Sequence, residues 1–447
     1  MKCMDIREKN IKQFILIMAV LCSIVCIGGC GQKIEALKQE QDVLQSEEVQ
    51  TEIQTSQETQ STEVSDSVQK PEPVKVKGIY VSGPVAGIER MDELIELVEN
   101  TELNTIVIDI KNDEGYVTYK MQSDTVVRIG AGINYIRDIE GLVATCKEKG
   151  IYLIARIVAF KDPYLAEQCP HLAVKTKEGD IFYDKKGLAW VNPYSHEVWE
   201  YLIEVATQAA AVGFDEIQFD YIRFSTDLAS DDLDFGVDAE SKSRTQIITE
   251  FTEYAYSQLS PLGVYVSADV YGTIIDSQID REIVGQDYVQ MASHLDYICP
   301  MVYPSHYGNG VYGISIPDTQ PYEIVRAAME AASEQLSVLP QESYAKNRVW
   351  IQAFTATWVN GHIEYGSEQI RAQMHGAFDA GYEEWILWNA SMKYQAEWLL
   401  TDEEAKAERT VWEEEKEAEA QRIAEEEAAQ KEAERRPKQA CTVWWRD

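Results

Sequence analysis

The sequence predicts an α/β protein built as a (β/α)8 barrel, and three observations carry that reading. Eight short apolar runs alternate with helix-like segments between Lys77 and Ser391, the order of a parallel sheet with crossover helices. Read with a period of two, the polar residues of successive runs fall on one parity, toward the C-terminal ends, where a barrel opens. In the fourth run, Glu216 to Phe224, Asp220 stands near the end of an otherwise apolar stretch, where a carboxylate is costly to bury unless it is paired or lines a polar cavity. A doubly wound open sheet is the alternative architecture.

The N-terminus comes first in order. Met1 to Gln13 is basic, and Phe14 to Ile27 is uncharged and short for a membrane span. Ile27-Gly28-Gly29-Cys30 resembles a lipobox, so residues 1–29 are expected to be a lipoprotein signal peptide, with Cys30 lipidated and the protein held extracytoplasmically on a bacterial membrane. An ordinary signal peptide or an anchor helix is the alternative. From about residue 30 to Val74 the chain is rich in Gln, Glu, Ser and Thr and has no aromatic residue, the composition of a flexible tether.

The barrel is expected over residues 75–400. Its strands are predicted at Gly78 to Ser82, Thr105 to Lys111, Ile151 to Phe160, Glu216 to Phe224, Val264 to Tyr271, Leu295 to Tyr303, Arg348 to Ala356 and Glu384 to Asn389. Helices are predicted at Met91 to Asn100, Ile133 to Lys149, Pro193 to Val212, Glu240 to Leu259, Arg281 to Ser293, Pro321 to Leu336 and Ser367 to Ala380. Gly150, Gly213 and Gly381 stand just past helix ends, and Asn192 before Pro193 reads as an N-cap. Beyond Leu400 a Glu, Ala, Lys and Arg run without an apolar heptad predicts a solvated single helix, a possible docking element for a protein partner.

With 76 acidic against 40 basic side chains, the formal charge of −36 disfavours nucleic acid as a partner. Cys146, Cys169, Cys299 and Cys441 are widely spaced and signal neither zinc nor a disulfide scaffold, and no cofactor is expected. The acidic loop Asp227 to Glu240 does not fit an EF-hand and reads as solvated.

Two strand-end carboxylates are the minimum for glycoside hydrolysis, one to protonate the leaving oxygen and one to attack or to activate water. Asp220 and Asp269, at the ends of the fourth and fifth strands, are the first candidates and would face each other across part of the mouth; Asp109 is the third. Arg156 and Lys111 share their interior parity and would position substrate or tune a carboxylate. Gln218, Arg223, Tyr271, Tyr303, His306 and Trp388 complete the expected substrate-binding set, since aromatic faces stack on pyranose rings and His306 could donate to a hydroxyl. Tyr307 and Trp358 are further aromatics beyond strand ends. An internal ion network without chemistry would also explain the charged set.

The block Trp190-Val191-Asn192-Pro193, a helix, and then Gly213-Phe214-Asp215-Glu216-Ile217-Gln218-Phe219-Asp220-Tyr221-Ile222-Arg223-Phe224 resembles the glycoside hydrolases of the DUF4015 group, barrel proteins distantly similar to the α-amylase clans. The resemblance also takes in Val107 to Lys111 and Met301 to Pro304. It implies a barrel fold and hydrolysis of a polysaccharide or oligosaccharide. In the amylase-like clans the strand-four aspartate is the nucleophile, which falls on Asp220; the usual strand-five glutamate is replaced here by Asp269. Ser225 follows Phe224 where the group often has proline.

Overall fold

Eight strands run parallel and close on themselves in the computed structural model, which describes residues 69–229, 232–340 and 344–435. They are β1 (Lys77–Val81), β2 (Thr105–Lys111), β3 (Tyr152–Val158), β4 (Glu216–Asp220), β5 (Tyr265–Tyr271), β6 (Tyr297–Val302), β7 (Val349–Gln352) and β8 (Trp385–Trp388). Each pairs with the next, and β8 pairs with β1 through Lys77 opposite Trp385, so no edge is left open. Strand centres are buried on both faces, as a parallel barrel requires.

The outer layer comprises α1 (Arg90–Glu99), α2 (Ile139–Glu148), α3 (His196–Val212), α4 (Arg244–Leu259), α5 (Tyr288–Ala292), α6 (Pro321–Leu336) and α7 (Ser367–Asp379). Outward strand residues meet them through aromatic contacts such as Phe219 on Phe251, ring centroids 5.4 Å apart. Gly150, Gly213 and Gly381 all take left-handed φ and end their helices, as their positions suggest.

Several expected boundaries move for local reasons. β4 stops at Asp220, not Phe224, because Tyr221 has φ 49° and turns the chain out of the sheet. The helix expected over Arg281 to Ser293 is two pieces, Gln278–Val284 and α5, broken at left-handed Gly285 and restarted by the Asp287 side chain, which caps Gln290 N–H. α3 starts at His196, while the Asn192 carboxamide caps a turn at Tyr194 instead. Ser243 and Gln246 form a capping box that starts α4 later than Glu240. Residues 133–136, expected to be helical, belong instead to a strand, Gly132–Ile136, paired in parallel with the short strand Val117–Tyr119 that folds back on β2.

The barrel interior carries charge at its lower end as well. Buried Arg348 donates to Glu216 (2.7 Å) and Glu384 (3.0 Å), and Ser267 and Tyr152 complete the Glu216 carboxylate. This network fills the end opposite the mouth, and Arg348 Nη2 has no partner in it.

The charged helix after the barrel, α8 (Asp402–Arg435), is docked at its start and solvated beyond. Trp412 stacks on His375 of α7 at 4.4 Å, Lys416 pairs with Asp379, and Ala405 is buried. Lys70, read as tether, pairs with Asp296 and sits over Tyr265, while Pro71 O accepts from the Tyr265 hydroxyl, so the chain is already on the barrel here. Cys30, the signal segment and Cys441 lie outside the described residues; Cys146, Cys169 and Cys299 are buried free thiols.

Candidate active site

A cavity of about 850 Å3 opens at the C-terminal ends of the strands, and Asp220 and Asp269 both line it. The β4–β5 register runs Gln218 opposite Ser267 and Phe219 opposite Ala268, which brings Asp220 level with Asp269. Adjacent parallel strands lie about 4.8 Å apart, so the two carboxylates stand side by side rather than across the mouth from one another.

Arg156 is the centre of the charged set. Its guanidinium donates to Asp220 from Nε (3.0 Å) and Nη2 (2.5 Å), to Asp109 from Nη1 (2.6 Å) and to Asp113 from Nη2 (3.0 Å). The Tyr80 hydroxyl closes the far side of Asp109 at 2.6 Å. Burial pushes Asp109 up to about 6, against the opposing pull of Arg156 and Tyr80. Burial also works against ionisation of Asp113, but Arg156 and Lys161 overcome it and hold that carboxyl below its usual range. Asp109 sits behind Arg156, 3% exposed, and does not line the cavity.

Asp269 is held differently. Its one side-chain partner among the described residues is Trp350, whose indole N–H donates at 2.6 Å. Burial, and then the charge of Asp220, push its carboxyl well above the ordinary range. Acid-assisted glycoside cleavage needs one carboxyl that keeps its proton beside another that gives its proton up.

Arg223, Tyr271, Tyr303, His306 and Trp388 all line the cavity. Gln352 accepts from Ser305 N–H at 3.0 Å and so fixes the loop that carries His306. Burial pulls the His306 imidazole down, favouring its neutral form. Phe354 stacks on Trp358 at 5.9 Å beside it, leaving Trp358 exposed at 66%.

Besides Asp109, two expected substrate-binding residues are elsewhere. Lys111 is fully buried, donates to Val158 O (2.7 Å) and pairs with Asp162 (2.8 Å), away from the cavity. A register shift between Asp109 and Lys111 sets Lys111 opposite Ile157, so the β-bulge turns it to the outward parity. Gln218 lies below the cavity, its amide 3.4 Å from the Cys299 sulfur.

Trp350, Tyr221, Asp113 and Lys161 belong to the site and were not among the expected residues. Trp350 has the interior parity of Gln352, so the alternation could have identified it. Strict alternation along β4 places Tyr221 on the outward face with Phe219, and its left-handed backbone reverses that. Asp113 and Lys161 are in loops, where periodicity carries no signal.

A closed (β/α)8 barrel opening on a cavity lined by carboxylates and aromatic rings defines the class as that of the barrel glycoside hydrolases. The chain belongs to the DUF4015 family, whose model, described as "Putative glycosyl hydrolase domain", matches residues 78–394. No curated protein matches it. Among solved structures, the glycoside hydrolase domain of PgaB (BpsB) from Bordetella bronchiseptica is 12% identical with TM-score 0.51, covering 71% of this chain and 94% of that one. A hypothetical protein from Ruminiclostridium thermocellum is 40% identical with TM-score 0.40, covering 43% and 97%. The spore cortex-lytic enzyme SleL of Bacillus megaterium is 12% identical with TM-score 0.43, covering 73% and 74%.

Proposed function

We propose that the protein hydrolyses O-glycosidic bonds in a cell-envelope or environmental polysaccharide, with Asp220 as nucleophile and Asp269 as general acid. The observation that carries this reading is the in-register pair on β4 and β5, both facing one cavity and held in contrasting environments. Asp220 has the guanidinium of Arg156 to balance negative charge, whereas at Asp269 burial and the charge of Asp220 favour the neutral form against the opposing pull of the Trp350 indole N–H. Adjacent positions on paired strands suit a covalent glycosyl intermediate, for which the two carboxyl groups stand roughly 5–5.5 Å apart, so the anomeric configuration is expected to be retained.

Asp269→Asn tests the acid. A neutral amide cannot protonate a leaving oxygen, so kcat on natural linkages should fall about 10^2- to 10^4-fold. Dinitrophenyl glycosides, whose leaving group needs no proton, should form the glycosyl intermediate at nearly the wild-type rate. The alkaline limb of the wild-type kcat/KM profile should lie above the usual carboxylate range, because activity is lost as the raised acid deprotonates, and it should vanish in the variant. Equal losses on both leaving groups would remove Asp269 from that role.

The protein works, on this reading, outside the cytoplasm on a lipid anchor at Cys30, and the motif Ile27-Gly28-Gly29-Cys30 supports it. Cys30→Ala should abolish metabolic labelling by palmitate and leave the precursor uncleaved. Unchanged labelling and processing would sink the anchor. Non-catalytic glycan capture by the same cavity is the competing reading: glycan binding without product release, unchanged in the Asp220→Asn, Asp269→Asn double variant, would establish it.

A further inference from the structure

Arg223 is buried to 7% exposure, yet no carboxylate among the described residues pairs with it. Its one hydrogen bond there is from Nη1 to the adjacent Phe224 carbonyl, at 2.9 Å. Three aromatic rings surround it: Tyr271 at 4.5 Å, Tyr221 at 4.7 Å and Trp190 at 5.3 Å from guanidinium carbon to ring centroid. The guanidinium is thus held by rings, while Nε and Nη2 have no acceptor among the described residues, and the side chain lines the cavity.

Of the other charges lining the cavity, exposed Lys186 and half-buried Asp280 also lack an ion pair among the described residues, while the others are partnered. Asp113 is taken by Arg156 and Lys161, and Asp227 by Lys185. Asp184 accepts from the Trp190 indole at 3.1 Å and from two backbone N–H groups. An unpaired, largely desolvated cation is expensive for a protein to keep. The left-handed Tyr221 that helps to hold it adds backbone strain of the kind found at ligand sites. A guanidinium with its faces covered presents an edge of parallel N–H donors, which matches a planar carboxylate in bidentate fashion and a hydroxyl only singly.

We infer that this cavity takes an acidic saccharide, and that Arg223 in its aromatic cradle receives the carboxylate of a uronic-acid-type sugar unit. The inference rests on the saccharide-binding reading of the cavity and names the substrate class for it. The net charge of −36 does not oppose it at this range. Solvent-exposed charges beyond about 8 Å are screened at physiological ionic strength, and 14 of the 76 acidic side chains lie on α8, outside the barrel.

The test is calorimetric titration of Asp220→Asn, which keeps ligand intact, with glucuronate-, galacturonate- and mannuronate-containing hexasaccharides. Each is compared with its carboxyl-reduced neutral counterpart and with a sulfated neutral hexasaccharide. At least one uronide should bind 10- to 100-fold more tightly than its reduced form, and that preference should disappear in Asp220→Asn, Arg223→Gln. Arg223→Lys should keep only part of it. Neutral or sulfated ligands binding as tightly, a preference that survives Arg223→Gln, or no binding at all would overturn the inference. Should Arg223→Gln fold poorly by circular dichroism, the uronide-to-neutral ratio measured on Arg223→Lys and on the parent decides. Wild-type protein that binds uronides selectively but releases no product would refute hydrolysis and leave the acidic subsite standing.

Discussion

Asp220→Asn should reduce hydrolysis by at least about 10^3-fold while leaving the protein folded. The substitution is nearly isosteric, and the oxygen of the introduced carboxamide could still accept from Arg156, which retains Asp109 and Asp113 as charged partners. What disappears is the anion able to attack or stabilise the anomeric carbon as the leaving oxygen departs. The role also predicts a rescue. In Asp220→Gly, where the side chain is removed, azide, small and needing no deprotonation, should enter the space of the lost carboxylate and restore turnover on an activated glycoside. Attack from that face, without a second displacement, gives a glycosyl azide of inverted configuration, whereas the wild-type product retains it. Proton NMR of the first-formed product reads both. Full activity of Asp220→Asn on an identified substrate, or an inverted wild-type product, would require a different nucleophile.

The architecture was legible because it is written in repeating local signals. Strand runs are bounded by helix-ending glycines such as Gly150 and Gly213, whose left-handed φ makes them reliable stops. Interior parity likewise brought Asp109, Arg156, Asp220 and Asp269 to one end of one barrel. What the sequence concealed lies where the period breaks. One bulge sends Lys111 to Asp162 beneath α3, and one left-handed residue swings Tyr221 over the cavity. Neither has a compositional mark. Hydrogen bonds between distant segments, such as Trp350 to Asp269 or Tyr80 to Asp109, are set by three-dimensional closure, so partners had to await the structure. The docking of α8 rests on Trp412 and Lys416 finding α7, which a heptad search does not detect.

Arg156→Met should be the most damaging single change to stability, costing about 3–5 kcal/mol, the range for removing one partner of a buried ionic cluster. The guanidinium is 1% exposed and holds three carboxylates. Methionine fills much of the stem volume, so cavity formation contributes little and the loss reports the charges left behind. In a barrel of this size the midpoint of thermal unfolding should fall by roughly 5–10 °C at pH 7. Its pH dependence is diagnostic. Burial already raises Asp109 to about 6 in the native protein, above the ordinary carboxylate value of 3.8, so the native state binds more protons than the unfolded chain between those limits. Stability from this group is therefore complete at low pH and lost as pH rises through about 6. Without Arg156 the Asp109 carboxyl moves further upward, because the cation that opposed burial is gone. The deficit of Arg156→Met should accordingly be greatest above pH 6 and shrink toward pH 4.5, where Asp109 takes up a proton. Arg156→Lys should recover only part of the loss, since one ammonium cannot span Asp109, Asp113 and Asp220 as the planar fork does. A deficit independent of pH would mean that Arg156 acts through packing on Tyr80 and Trp388, whose rings lie 5.6 and 5.7 Å away, and not as the counter-charge that sets the carboxylates of the mouth.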